Sequence, residues 1–363
     1  MTNTKILLSV AAAAVLTLSG CGGGSSSTTT DPAVPVVPVE TTTTLTGNIA
    51  ANKTLTADKI WILDGQVEVL DGVTLTIEPG TKIVGKEGTV AWLFVQPGAK
   101  LMAEGTVTQP IVFTSEAAIL GETEAAGQWG GVTIIGNSAN SQTGLYEVYD
   151  TTEAGTGDAT SGSLKYVTIN NTGIAVAPDK EINGLSLFGV SASTVVENIK
   201  INRSGDDGIE VWGGSVNLTT VAIDGAQDDS FDTDSGWNGT IDGLTVTNGT
   251  KAGIEMSGTS VGTYKNVSIN VPATSAASEG GLYFKAGSGE VVGGIFDTVA
   301  ITYNSAAAGA MMVSGDFDIG NSTMTGVTLA GSNTAIVAKT SADEADRVEL
   351  QTTFDADTSK VIN

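Results

Sequence analysis

The chain has 363 residues, 40% of them hydrophobic, enough to bury a substantial core in one large domain or an elongated repeat array. Sixteen basic residues face forty acidic ones, and the net charge of -24 repels nucleic-acid phosphates and anionic headgroups, which excludes nucleic acid as a partner. The absence of histidine removes Ser-His-Asp and Cys-His catalysis and histidine-ligated zinc together, leaving any chemistry to carboxylates, Lys, Arg, Tyr or an oxygen-bound metal.

At the N-terminus, Lys5 is followed by an apolar run from Ile6 to Leu18 and then by Ser19, Gly20 and Cys21. A short positive start, a hydrophobic stretch and small residues before a cleavage point form a secretory signal, too short for a membrane span. Cys21 is the only cysteine, so neither an intramolecular disulfide nor a thiolate metal site is expected. The string LSGC resembles the bacterial lipobox, which implies removal of residues 1–20 and lipidation of Cys21, with palmitate-type acyl chains holding the protein to a membrane. Lipoproteins retained in the inner membrane typically carry Asp after that cysteine; Gly22 stands there, so the resemblance implies the outer membrane, on either face. Residues 21–44 then read as a tether, Gly/Ser/Thr-rich and Pro-spaced, with the folded domain expected over 45–363.

Beyond Leu45 the pattern is one of short alternating apolar runs broken by Gly, Asn and Asp, with hardly any helical periodicity. The segments GVTLTIEPGTKIVG and WLFVQPGAKLMAEG align at a shift of 18, placing Leu75 with Leu93 and Pro79 with Pro97. Strand-like pairs recur at Val167/Ile169, Ile199/Ile201, Val221/Ile223, Leu244/Val246, Val267/Ile269, Val299/Ile301 and Val327/Leu329, with steps of 32, 22, 23, 23, 32 and 28. A second column follows through Leu185/Leu187, Ile209/Val211, Phe231/Thr233, Ile254/Met256, Leu282/Phe284 and Ala310/Met312. A weaker third passes through Val196, Val216/Leu218, Ile241, Val261, Val291 and Phe317/Ile319. Three columns returning about every 22 residues, with insertions confined to turns, predict an all-β right-handed parallel β-helix, each coil burying its inward residues on the coils above and below. The stretch KTSADEADRVELQTTF is expected to close the open C-terminal end as a short helix or irregular cap.

The strings TLTIEPGTKIVG, GQWGGVTIIGNS, DDGIEVWGGSVN and DDSFDTDSGW resemble a widespread group of bacterial surface lipoproteins with pectin-lyase-like β-helices. The resemblance covers roughly Leu45 to Gly258 and implies the fold and a surface lipoprotein, from a group that largely lacks an assigned activity. Trp61, Trp92, Trp129, Trp212 and Trp237 are read as packed side chains, with stacking on sugars the alternative for any that is exposed.

A shift of 22 sets Asp206, Asp207 and Glu210 beside Asp228, Asp229 and Asp232, and a further 23 residues bring Lys251, Ala252 and Glu255. Because side chains alternate along a strand, inward Ile209, Phe231 and Ile254 put Glu210, Asp232 and Glu255 in an outward row. Like charges about 4.8 Å apart repel by roughly 3 to 4 kcal/mol at an effective dielectric of 20, so a compensating charge is expected. Calcium, which accepts six to eight oxygens in flexible geometry, suits a cage of Asp206, Asp207, Asp228 and Asp229, with Glu210, Asp232 and Asp234 to complete it. The alternatives are acidic turn residues bonding to their own backbone, with Lys251 and Arg203 balancing charge, and catalytic carboxylates. SGDDGIEV resembles the GDD segment of polygalacturonases, which implies inverting hydrolysis by paired acids, but that family's histidine and Arg-Ile-Lys motifs are both missing.

Two functions from different classes follow. The first is an outer-membrane or cell-surface lipoprotein acting as a non-catalytic binding, adhesion or structural protein, stabilised by calcium and meeting a polysaccharide or a surface protein. The second is a calcium-dependent polysaccharide lyase, with Arg203 or Lys251 as its base, or a carboxylate-based glycosidase.

Overall fold

The structure, a computed structural model, describes residues 41–138, 144–146, 149–151, 157–177, 180–275 and 278–363. The signal segment, Cys21 and the tether as far as residue 40 lie outside the described residues. The β-branched and leucine pairs of the first column stand directly above one another: Val167, Ile199, Val221 and Leu244 are successive parallel partners, as are Ile169, Ile201, Ile223 and Val246. All eight are buried to within 2% of completely. Side chains of this size each contribute about 1.5–3 kcal/mol when taken out of water, and the same stack repeats from coil to coil. The result is a right-handed parallel β-helix in which 25 strands of the described residues pair in one continuous parallel sheet.

The predicted steps of the first column hold throughout, ending with Ile301 beside Leu329. The second column holds as far as Leu282 and Phe284, but their partners in the next coil are Met311 and Val313. The expected Ala310/Met312 pair is therefore displaced by one residue, which turns Met312 outward.

The third column corrects more. Val196, Leu218 and Ile241 are successive partners, followed by Tyr264, Phe296 and Met324 and not by Val261 and Val291, which are each 40% exposed. Ile319 is likewise exposed, while Phe317 is buried and bridged to Val292. An aromatic run explains the choice: Trp237 packs edge-on against Tyr264 with centroids 5.8 Å apart and Tyr264 stacks on Phe296 at 5.0 Å, so the larger rings fill the interior.

The first and third columns are two halves of one bent strand, as in Val195–Ser204, Asn217–Asp224 and Thr240–Thr247. At each bend one residue takes a positive φ: Tyr166, Asn198, Thr220, Gly243, Asn266, Thr298 and Gly326. Only glycine adopts that conformation without steric cost, so Thr220 and Thr298 are held there by the ladders on either side.

The self-similarity at a shift of 18 is not a winding of the helix. Leu75 lies beside Leu101, and Leu93 beside Val67. What repeats is turn chemistry: Gly80 and Gly98, each after a proline, have φ of +82° and +81° at two different corners. The first described strand, Thr41–Ile49, pairs with Lys59–Val69, so the solenoid includes Thr41–Thr44, inside the stretch read as tether. At the other end the cap is helical: Thr340 and Asp343 form a capping box, and helix Glu344–Ala356 buries Leu350, Thr353 and Phe354. No described helix is long and apolar enough to cross a membrane.

Candidate functional site

The outward row follows the same ladder as the core. Glu210 pairs with Asp232 and Asp232 with Glu255, in strands Ile209–Trp212, Phe231–Asp234 and Ile254–Met256. These carboxylates face away from the coil interior yet are 8%, 9% and 3% exposed, because Glu181, Glu279, Lys285 and Glu290 gather with them around one cleft. They floor a cleft of about 550 Å³. All seven acids singled out from the sequence line it: Asp206, Asp207, Glu210, Asp228, Asp229, Asp232 and Asp234. Glu255, Glu181, Glu279 and Glu290 bring the carboxylates to eleven, against two lysines, Lys251 and Lys285.

Part of this acidity holds turns together. Asp207 Oδ1 accepts from the Asp229 backbone N–H at 2.8 Å, and Asp229 Oδ1 from that of Ala252 at 2.6 Å, a side-chain ladder that stitches consecutive turns. The Asp234 carboxylate accepts from the Ser235 backbone N–H, and Gly258 of the next coil lies against it. A Cβ at position 258 would stand 1.7 Å from Asp234 Oδ1, and its φ is +53°, so only glycine fits there.

The remainder is imperfectly compensated. Lys251 Nζ sits 2.5 Å from Asp228 Oδ1 and 2.6 Å from Oδ2. Lys285 Nζ is 2.6 Å from Glu255 Oε1, and Asn183 donates to Glu210 Oε2 at 2.6 Å. Asp232 Oδ1 and Glu255 Oε2 are buried without a hydrogen-bond partner. Such oxygens each cost on the order of 1–3 kcal/mol when left unsatisfied.

Titration follows from this burial. Desolvation drives Asp207 well above the ordinary carboxylate range, with repulsion from Asp232 next in weight. Asp229 is raised by burial and then by Glu255, and Asp232 by burial and then by Glu255 and Glu210. Asp234 is raised mainly by burial. Burial also raises Glu255, against the opposing pull of Lys285. Burial works against the charge of Lys251, but its hydrogen bond to Asp228 and that carboxylate's charge outweigh it and hold the lysine above its usual value. Lys285 is likewise held protonated, Glu255 overcoming its desolvation.

Two trios in the cleft each bring three carboxylate oxygens within 4.8 Å of one another: Asp206, Asp207 and Asp228, and then Asp228, Asp229 and Glu279. An all-oxygen, anionic donor set with buried oxygens left over fits a hard cation, so the acidic cluster is able to hold a metal ion. Arg203 is not part of this arrangement. It binds Glu124 at 2.5 Å and donates to Asn171 Oδ1 at 2.8 Å, and so neither offsets the cleft charge nor sits where a base would. Of the five tryptophans, Trp61, Trp92, Trp129 and Trp237 are buried, as the packing expectation has it. Trp212 is half-buried, beside Asp234 in the ladder and edge-on to Phe188 at 5.8 Å.

Glu255 was legible as the third member of the outward row. Lys285 ends the strand Leu282–Lys285, and alternation from inward Leu282 and Phe284 sets it outward, a signal the sequence carried; Glu279 and Glu290 lie in the loops before and after that strand, which no repeat spacing places.

Residues 47–361 match the model of the pectate-lyase-like β-helix domain family. The chain belongs to that family. No curated protein matches the sequence. Among solved structures, an alginate lyase from Paenibacillus is similar at 13% identity with a TM-score of 0.32, covering 72% of this chain and 92% of that one. No residue role is carried over from so remote a likeness. The β-helix family membership replaces the looser resemblance drawn from the motifs and fixes the architecture.

Proposed function

We propose that this chain is a lipid-anchored outer-membrane protein whose acidic cleft binds divalent cations, calcium foremost, and which serves as a non-catalytic binding or adhesion protein at the cell surface. The observation that carries the proposal is the pair of buried oxygens, Asp232 Oδ1 and Glu255 Oε2, left without partners amid eleven carboxylates and two lysines. A cation accepting those oxygens removes both their desolvation cost and the repulsion along the row. Calcium suits donors that come from three coils and several loops, since it tolerates irregular coordination better than magnesium. The signal segment and the lipobox-like LSGC support the anchor, and Gly22 supports the outer membrane. A surface polysaccharide or protein meeting the cation-loaded cleft is the partner this reading assigns.

A calcium-dependent lyase acting on an acidic polysaccharide is the second reading, favoured by the β-helix family to which the chain belongs. The two cleft lysines weigh against it. Both are ion-paired and held protonated, so neither is poised to take a proton at neutral pH, and the cleft repels a polyanion.

Calorimetry of the purified protein with calcium and with EDTA tests the first reading. At a calcium concentration a hundredfold above Kd, the folded state gains about 2.7 kcal/mol. Equal melting temperatures in calcium and EDTA would remove it. Incubation with polyuronates and calcium, followed by the ultraviolet absorbance of an unsaturated product, tests the second; cutting that Asp228→Ala abolishes without lowering the melting temperature would establish the lyase. Cys21→Ser should release the protein from the membrane fraction, and its retention there would exclude the lipid anchor.

A further inference from the structure

A second hollow, of about 310 Å³, lies on the outer side of the bent strands and shares no lining residue with the acidic cleft. Its floor is the bend itself, where Tyr166, Asn198 and Thr220 stand in successive coils at the positive-φ corner. Two residues further along each strand, Thr168, Lys200 and Ala222 are direct parallel partners and continue the floor outward. One wall is the loop after the strand Lys100–Glu104, which brings Val107 and Pro110 to the rim. That loop is fixed against the bend. The Gly105 N–H donates to Lys165 O at 2.8 Å, and a Cβ at position 105 would stand 2.8 Å from Tyr166 O, so the backbones meet too closely for any side chain.

The chemistry of this hollow is the reverse of the cleft's. In a chain with a net charge of -24, no acid lines it, and its one charged lining residue is Lys200. Among the described residues Lys200 has neither an ion pair nor a hydrogen bond, and the hydroxyls of Tyr166, Thr168 and Thr220 are likewise unengaged. Beside these donors stand the apolar surfaces of Val107, Pro110 and Ala222, with Val107 79% exposed, more than any other large hydrophobic of the described residues. A single free ammonium next to apolar surface complements a ligand with one negative charge and an apolar body. A saccharide fits less well, since it would bring hydroxyls against Val107 and Pro110, which offer them no partner. A polyanion would meet one cation in a strongly acidic protein.

We propose that the hollow at the strand bends is a binding site for a short-chain fatty acid, whose carboxylate is held by Lys200 and whose alkyl chain covers Val107, Pro110 and Ala222. The charge-assisted bond to the ammonium sets the orientation, and burial of the exposed apolar rim supplies the rest of the affinity. The site is independent of the acidic cleft, so it stands or falls apart from the cation-binding reading.

Hexanoate is the probe, titrated calorimetrically into the full chain in detergent and EDTA, with hexanol and hexylammonium as controls that remove or invert the charge on the same alkyl chain. One saturable hexanoate site is expected, about tenfold tighter than for hexanol, with no saturation by hexylammonium. Lys200→Met should weaken hexanoate about tenfold and leave hexanol unchanged, whereas Val107→Ser should weaken both by roughly threefold. Both side chains are exposed, so neither substitution disturbs the core, and equal melting temperatures check that. Absence of saturation by hexanoate, equal hexanoate affinity in wild type and Lys200→Met, or tighter binding of hexanol or hexylammonium would overturn the proposal. Saturation by glucose in place of hexanoate would make the hollow a sugar site and refute the assignment. Location is tested on the unsubstituted chain with a diazirine-bearing hexanoate and peptide mass spectrometry: label is expected on residues 105–110 and 198–200, and label confined to other segments would place the ligand elsewhere.

Discussion

Replacing Asp232 by Asn should stabilise the ion-free protein and destabilise the calcium-loaded one relative to wild type. Asp232 lies between Glu210 and Glu255 in the parallel ladder, so it has a like charge on each side at about 4.8 Å. Each fully ionised pair would cost about 3.5 kcal/mol at an effective dielectric of 20. Burial and mutual repulsion raise the pKa of Asp232, so the ion-free protein already relieves part of this by holding protons. Roughly 2 kcal/mol remains for the amide to recover, and Asn adds donors that its neighbours can accept. With an unfolding entropy of about 2.1 cal/mol/K per residue over the β-helix, that is about 3 °C in melting temperature. Scanning calorimetry at neutral pH in EDTA should show the rise. In calcium at a hundredfold Kd the wild type should gain about 4 °C, and the variant should lose most of that response. A variant melting more than about 2 °C below wild type in EDTA would show that Asp232 is a structural, hydrogen-bonded residue and not a repelled one.

Three further outcomes are expected. Thr220→Gly, at a bend where φ is +56°, should raise stability by up to about 1 kcal/mol in chemical denaturation, since glycine enters that region without the Cβ clash; a loss would mean that side-chain contacts hold the corner. Trp237→Ala should cost about 3–5 kcal/mol, because the indole is fully buried, donates to Val216 O at 3.1 Å and packs edge-on against Phe231 and Tyr264; an unchanged denaturation midpoint would contradict the packing. Stability in EDTA should rise as pH falls from about 7 towards about 5. Asp207, Asp229 and Asp232 take up protons more readily folded than unfolded, so stability is lost as pH rises through their elevated values. Below about pH 4 the trend reverses, as Glu104 and Asp343, held low by hydrogen bonds from Ser163 and the Gly315 backbone, lose those bonds on protonation. Thermal melts across that range decide it, and a monotonic fall in stability from pH 7 downwards would refute the sign.

The sequence by itself determined the winding and the meeting of the acids. Steps of 32, 22, 23, 23, 32 and 28 locate every vertical neighbour of the first column, and two-residue alternation then places Glu210, Asp232 and Glu255 in a single file. Hydrogen-bond ladders transmit register without loss, so spacing in the chain becomes adjacency in space. The same argument failed where packing chose among candidates of equal spacing. Val261 and Val291 have the right hydrophobicity for the third column, but Tyr264 and Phe296 fill more of the interior and took their places. The twin PGTK and PGAK strings record one turn chemistry used at two corners. Only the tertiary structure decided that an outward row would be buried, that Glu279 and Glu290 would close round it, and that Arg203 would turn to Glu124 instead. Loops inserted between coils have no ladder to fix them; their conformation is settled by what they pack against, which no periodicity in the chain encodes.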